Sequence, residues 1–164
     1  MNYIKVKVND THAIKELSCL ASKIVKEHYD LILGATQNDY MIDKFQSAAA
    51  ITEQIKQGYQ YYFVSDKNNN IGFIAFYPRK DEMYLSKFYL QKEERGKGIS
   101  KDMLHFVIKK TKEAGLNTIV LNVNKHNKAV LVYEKLGFIK IREEKNDIGN
   151  GFFMDDFVYK YLIE

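Results

Sequence analysis

Apolar positions recur along this chain at two spacings, and the switches between them set out its elements. Residues 3–8 alternate Tyr and Lys with Ile and Val, the pattern of a short strand with one buried face. From residue 13 the spacing lengthens. Ala13, Ile14, Leu17, Leu20, Ala21, Ile24 and Val25 fall on one face of a helix that Asn9, Asp10 or Thr11 can cap. Leu33-Gly34 reads as loop, residues 39–45 as a second helix, and 48–57 as a third that Gly58 ends. Period-two runs then return at 59–65, 71–77 and 83–90, the first two joined by a loop over 66–70 and the second closed by Pro78. A long amphipathic helix over 97–114 follows, with Lys109, Lys110 and Lys112 in its last turns and Gly115 beyond them. Residues 118–123 form an apolar strand, so strand–helix–strand here predicts a parallel crossover. A short helix over 128–136 stops at Gly137, and 138–142 with 152–162 form a closing hairpin.

One junction in this series carries chemistry. The strand ending Phe88-Tyr89-Leu90 runs into Glu94-Arg95-Gly96-Lys97-Gly98-Ile99-Ser100, and a helix starts there. Glycines let backbone approach a phosphate, and the first N–H groups of a helix have no intrahelical partner. Arg95 and Lys97 add positive charge at the same place, so the stretch reads as a pyrophosphate clamp, with a plain turn as the alternative. A dinucleotide fingerprint would need glycine where Lys101 stands, and no P-loop string occurs.

Charge supports the anion site. Residues 91–145 carry 13 basic against 7 acidic side chains, whereas 146–164 carry 1 against 4. The aromatics lie mostly in strand-like runs and read as core, which argues against nucleic-acid binding. No apolar run is long enough to span a membrane, and residues 1–5 lack a signal-peptide layout. The one cysteine, Cys19, cannot form an internal disulfide and reads as a buried structural thiol, so a cytoplasmic location is expected. At 164 residues the chain reads as a single domain, 1–164. No His/Cys/Asp spacing suggests a metal.

Arg95-x-x-Gly98-x-Ser100 resembles the R/Q-x-x-G-x-G/A signature of the GNAT N-acetyltransferase superfamily, with Ser100 a mild departure. About thirty residues downstream, Asn127, Ala129, Tyr133, Gly137 and Phe138 resemble that family's N-x-x-A-x-x-x-Y-x-x-x-G-F segment, the alanine coming one residue early. The resemblance covers most of residues 59–140. It implies an α/β (α+β) fold: a mixed, mostly antiparallel sheet of about six to seven strands flanked by helices, with a β-α-β cofactor core. It implies acetyl-CoA as cofactor, held by Phe88, Tyr89, Leu90, Arg95, Gly96, Lys97, Gly98, Ile99 and Ser100, together with Asn122, Asn127 and Tyr133. A backbone N–H of residues 88–90, Leu90 foremost, would stabilise the oxyanion formed when an amine attacks the thioester. Tyr133 would protonate the leaving thiolate, since a phenol of reference pKa about 10 can supply that proton. An ordinary core tyrosine is the alternative for Tyr133, and a helix cap is a compatible role for Asn127.

The general base is open. Relatives often carry glutamate where this chain has Ser86, which leaves a water chain or Glu27, His28 and Asp39 as candidates. Acids and aromatics in the N-terminal helices and last hairpin (Asp30, Asp43, Asp155, Asp156, Tyr40, Phe153) suit a small amine, a polyamine among them. A protein or peptide acetyltransferase and a non-catalytic acetyl-CoA-binding regulator are the alternatives. A homodimer through the C-terminal strands is expected by analogy alone.

Overall fold

In a computed structural model describing residues 1–164, seven strands form one sheet and five α-helices accompany it. The elements run β1 (Asn2–Lys5), α1 (Thr11–Leu33), α2 (Ala35–Gln46), α3 (Ala48–Lys56), β2 (Gln60–Asp66), β3 (Asn69–Pro78), β4 (Met83–Leu90), α4 (Ile99–Glu113), β5 (Thr118–Asn124), α5 (Ala129–Leu136), β6 (Ile139–Gly149) and β7 (Phe152–Leu162). The sheet order is β1-β2-β3-β4-β5-β7-β6, mostly antiparallel, with the expected parallel crossover at β4–β5. Packing divides the chain into two compact units: residues 1–77 with 87–103, and residues 78–86 with 104–164. Strand β4 and helix α4 each contribute to both.

In the first unit α1 lays Ile14, Leu17, Ala21 and Ile24 against Tyr61 and Phe63 of β2 and Phe73 and Ala75 of β3. Helical spacing on one side and strand alternation on the other put these residues face to face. Burying each of the isoleucine, leucine and phenylalanine side chains contributes roughly 1.5–3 kcal/mol. The helix starts at Asp10, whose carboxylate accepts the Ala13 N–H at 3.0 Å. It runs eight residues past Val25, because Tyr29 continues the buried face, and ends where Gly34 turns left-handed with φ +83°. Cys19 lies on the opposite side of α1 and is exposed, which overturns its reading as a buried thiol. The loop predicted over 66–70 shortens to a two-residue turn. Lys67 and Asn68 both have positive φ, and Asp66 already pairs with Asn69.

In the second unit β5 pairs with β7 from Thr118–Leu162 to Asn124–Asp156, and β6 lies along the other side of β7. Strand β6 runs to Gly149, seven residues beyond its predicted end, and turns back through Asn150 and Gly151. It is the last strand of the sheet, polar on both faces over most of its length, so hydropathy alternation could not mark it.

Candidate functional site

Within the first unit, β4 delivers Phe88–Leu90 into a short 3-10 turn (Lys92–Glu94), and the glycine turn leads on to α4. Gly96 and Gly98 both sit at φ +77°, a conformation costly for any residue with a side chain. Nothing lies within 4 Å of where a Cβ would be at either position, so the turn is an open backbone cradle. Gly98 directly precedes α4 and offers no side chain to cap Ile99, Ser100 and Lys101. The first N–H groups of a helix can serve an external acceptor, and a pyrophosphate fits that chemistry. The Tyr3 hydroxyl donates to Asp102 in the first turn of α4 and ties this helix to the N-terminal strand.

The two cations of the turn have partners within the protein. Arg95 does not point into the cradle: its Nε and Nη2 donate to the Leu90 carbonyl at 3.3 and 3.1 Å. Its Nη1 lies 3.5 Å from Nδ1 of His28. Lys97 pairs with Glu94 at 3.2 Å in an exposed i,i+3 contact, which leaves its ammonium mobile enough to turn to an anion. Arg95 therefore acts on the strand end as well as the turn. Behind that strand end stands Gly72 of β3, where a Cβ would overlap the Tyr89 carbonyl oxygen and meet Leu90 Cδ2 at 3.0 Å. Only glycine permits this approach.

Of the base candidates, His28 is brought beside Arg95. Glu27 is exposed, and Asp39 is ion-paired with Lys26 at 3.0 Å. Ser86 is half-buried on β4 and has no basic group to offer. No cluster of three His, Cys, Asp or Glu that could hold a metal occurs.

The second unit holds the remaining predicted residues. Asn127 is buried and its Oδ1 accepts the Ala129 N–H at 2.9 Å, so it caps α5. Helix α5 has no buried residue, and Tyr133 lies half-buried on it with its ring edge-on to Phe138, centroids 5.7 Å apart. Gly137 ends the helix left-handed at φ +107°. The Asn122 side chain is fully engaged by the protein. Its Oδ1 accepts from the Tyr84 hydroxyl at 3.1 Å, while its Nδ2 donates to Glu144 at 3.1 Å and to Asp156 at 3.4 Å. Any contact it makes with a cofactor would have to use its backbone.

Asp156 stands out among the acids grouped above. Asp155, its neighbour, points to the other face of β7 and pairs with Lys125 at 3.0 Å. Asp156 is 2% exposed, and its Oδ1 has no partner. Burial pushes its carboxyl from 3.8 up to about 6, only partly opposed by the Asn122 amide. Between about pH 4 and 6 the folded protein thus binds more protons here than the unfolded chain, and stability falls as pH rises through that window. Asp156→Asn should flatten this fall. In urea melts from pH 4 to 7 the wild type should lose on the order of 2–3 kcal/mol more than the variant. Equal slopes would rule out the burial effect.

The sequence profile described as an acetyltransferase (GNAT) domain matches residues 18–154. Among solved structures, the PaiA N-acetyltransferase from Thermoplasma acidophilum, in complex with coenzyme A, superimposes with a TM-score of 0.76 at 21% identity over 98% of each chain. The aminoglycoside 6'-N-acetyltransferase from Enterococcus faecium does so with 0.72 at 18% identity, covering 100% of this chain and 98% of its own. A GNAT family acetyltransferase from Elizabethkingia anophelis with acetyl-CoA bound gives 0.59 at 20% identity, covering 69% of this chain and 82% of its own. No curated protein matches the chain in sequence.

Proposed function

This chain belongs to the GNAT acetyltransferase family and uses acetyl-CoA, and from that premise we propose that it acetylates the primary amine of a small molecule by direct attack in a ternary complex. The observation that carries the reading is the open glycine cradle at the start of α4, reached directly from a strand end that Arg95 and Gly72 hold in place. Acetyl-CoA supplies an acyl group already activated as a thioester. Gly96, Gly98, Ile99 and Ser100 bind its pyrophosphate through backbone N–H groups and the α4 terminus, and Lys97 adds charge. The Leu90 N–H, on a strand end fixed before any ligand arrives, is the donor for negative charge developing on the carbonyl oxygen. Tyr133 gives its proton to the departing sulfur. The amine must lose a proton before attack, and His28 or a water chain accepts it.

The aminoglycoside 6'-N-acetyltransferase among the similar structures favours a small acceptor. A polyamine is one member of that class, but a polycation needs carboxylates to spare. Asp30 and Asp39 are paired with Lys26, and Asp155 with Lys125. Polyamines and aminoglycosides therefore belong in one acceptor panel with short peptides. Release of free thiol with one small amine, and background rates with peptides, is the expected result. The reverse pattern would make this a peptide acetyltransferase, and binding without turnover on any acceptor a regulator.

The cradle has its own test. Gly98→Asp places a side chain on a left-handed residue and a negative charge where the pyrophosphate is assigned. Acetyl-CoA affinity by calorimetry should fall at least about tenfold, a loss of roughly 1.4 kcal/mol. Equal affinity in both proteins would refute the placement.

A further inference from the structure

Strand β4 carries a lysine on its buried face. Met83, Leu85 and Lys87 share that side by alternation, and Lys87 is 6% exposed. Its ammonium lies 2.7 Å from the Phe45 carbonyl, 3.0 Å from Gln46 Oε1, 3.2 Å from Gln54 Oε1 and 2.5 Å from the Tyr61 hydroxyl. These groups come from the end of α2, from α3 and from β2. None is a carboxylate, so the charge is buried without a counter-ion among these partners and held by dipoles and by the Tyr61 ring, 5.1 Å away at its centroid.

Donor counting shows what the network requires. An ammonium has three protons, and three acceptors take them: Phe45 O, Gln46 Oε1 and the Tyr61 oxygen. The Tyr61 hydroxyl then donates to Gln54 Oε1, and Gln54 Nε2 donates back to Phe45 O at 3.2 Å. With Lys87 charged, all three acceptors are filled at once. Removing one proton leaves Phe45 O with Gln54 Nε2 as its donor and loosens the tie between the end of α2 and β4. Ser18 extends the ring to α1 by donating to the Gln46 carbonyl at 2.7 Å. Phe88, Tyr89 and Leu90 follow Lys87 directly. The same strand end is backed by Gly72 and bonded by Arg95 at the Leu90 carbonyl.

We propose that Lys87 is a positioning residue for acetyl transfer, its ammonium locking the α2–α3 corner to β4 and so holding Phe88–Leu90 in the conformation that receives the thioester. This rests on the role given to Phe88–Leu90 under the proposed function. It also makes turnover depend on the charge of Lys87, which burial pushes from 10.5 down to about 7. The titratable groups around it are tyrosines: Tyr61 on β2, Tyr59 just before β2, and Tyr89 on β4. Burial, with Tyr59 and Tyr89 adding to it, raises Tyr61 well above its ordinary value, so that hydroxyl stays protonated. The charged residues of α2 and α3, Asp39, Asp43, Lys44, Glu53 and Lys56, are exposed and do not face Lys87.

Two variants test this by kcat, acetyl-CoA affinity and pH profile together. Lys87→Met keeps the side chain's length and removes its charge. Its kcat should fall roughly 10²-fold, as for a displaced reacting group, with acetyl-CoA affinity by calorimetry within about twofold of wild type. Gln46→Glu places a carboxylate beside the ammonium and should move the alkaline limb of kcat to higher pH by at least about one unit. An unchanged kcat in Lys87→Met overturns the proposal. So does an alkaline limb at the same pH in wild type and Gln46→Glu, even where Lys87→Met is unstable, since a merely structural lysine would give that result. A wild type that binds no acetyl-CoA overturns the proposed function instead, so the two failures are distinguishable.

Discussion

Tyr133→Phe is expected to lower kcat by about 10²–10⁴-fold, the usual contribution of a positioned general acid, while acetyl-CoA binds as before. The substitution isolates one atom. The ring of Tyr133 meets Phe138 edge-on, and phenylalanine can keep that contact. Helix α5 has no buried residue, so losing a hydroxyl there should not disturb a core. Stability by thermal melt and acetyl-CoA affinity by calorimetry should match wild type, with the whole loss in the rate of thiol release. Acyl donors that release a better leaving thiolate would narrow the gap, because protonation then matters less. An unchanged kcat would remove Tyr133 from the mechanism and return Tyr-x-x-x-Gly-Phe to a packing motif.

The elements that position this chemistry were legible because their signals are local. Alternation marks β4 without error, paired glycines mark the cradle, and Tyr133-x-x-x-Gly137-Phe138 marks α5 and its left-handed stop. What stayed hidden depends on partners distant in sequence. Lys87 has the same parity as Met83 and Leu85, which was the one signal that it faces inward. Its oxygens come from residues 45–61, and no local pattern announces them. Asp155 and Asp156 must face opposite ways on a strand, but only the pairing of Asp156 with Asn124 and Glu144 decides which one is buried. Arg95 reads as a phosphate ligand from its motif, and its bonds to the Leu90 carbonyl need the fold of the turn to be seen. Cys19 misled because it lies next to apolar Leu20, whereas the buried face of α1 passes through Leu17 and Ala21.

Gly72→Ala should cost about 10²-fold in kcat, although residue 72 is assigned no contact with either substrate. Its effect is transmitted by contact with backbone. The new Cβ would overlap the Tyr89 carbonyl oxygen and press on Leu90, whose Cα would lie 3.3 Å away. A side chain could rotate aside, but a carbonyl in a strand cannot, so the Tyr89–Leu90 peptide must shift. Displacement of reacting groups by about 1 Å is enough for a loss of that size. Overpacking should also lower stability by about 1–3 kcal/mol in urea melts. The cradle at Gly96–Ser100 lies beyond the 3-10 turn, so acetyl-CoA affinity should change far less than kcat. Comparing Gly72→Ala with Gly98→Asp therefore separates the two halves of the site, one variant failing in turnover and the other in binding. If Gly72→Ala kept wild-type kcat, the strand end would tolerate displacement. Leu90 would then not be the oxyanion donor, since a donor that moves without consequence is not preorganised.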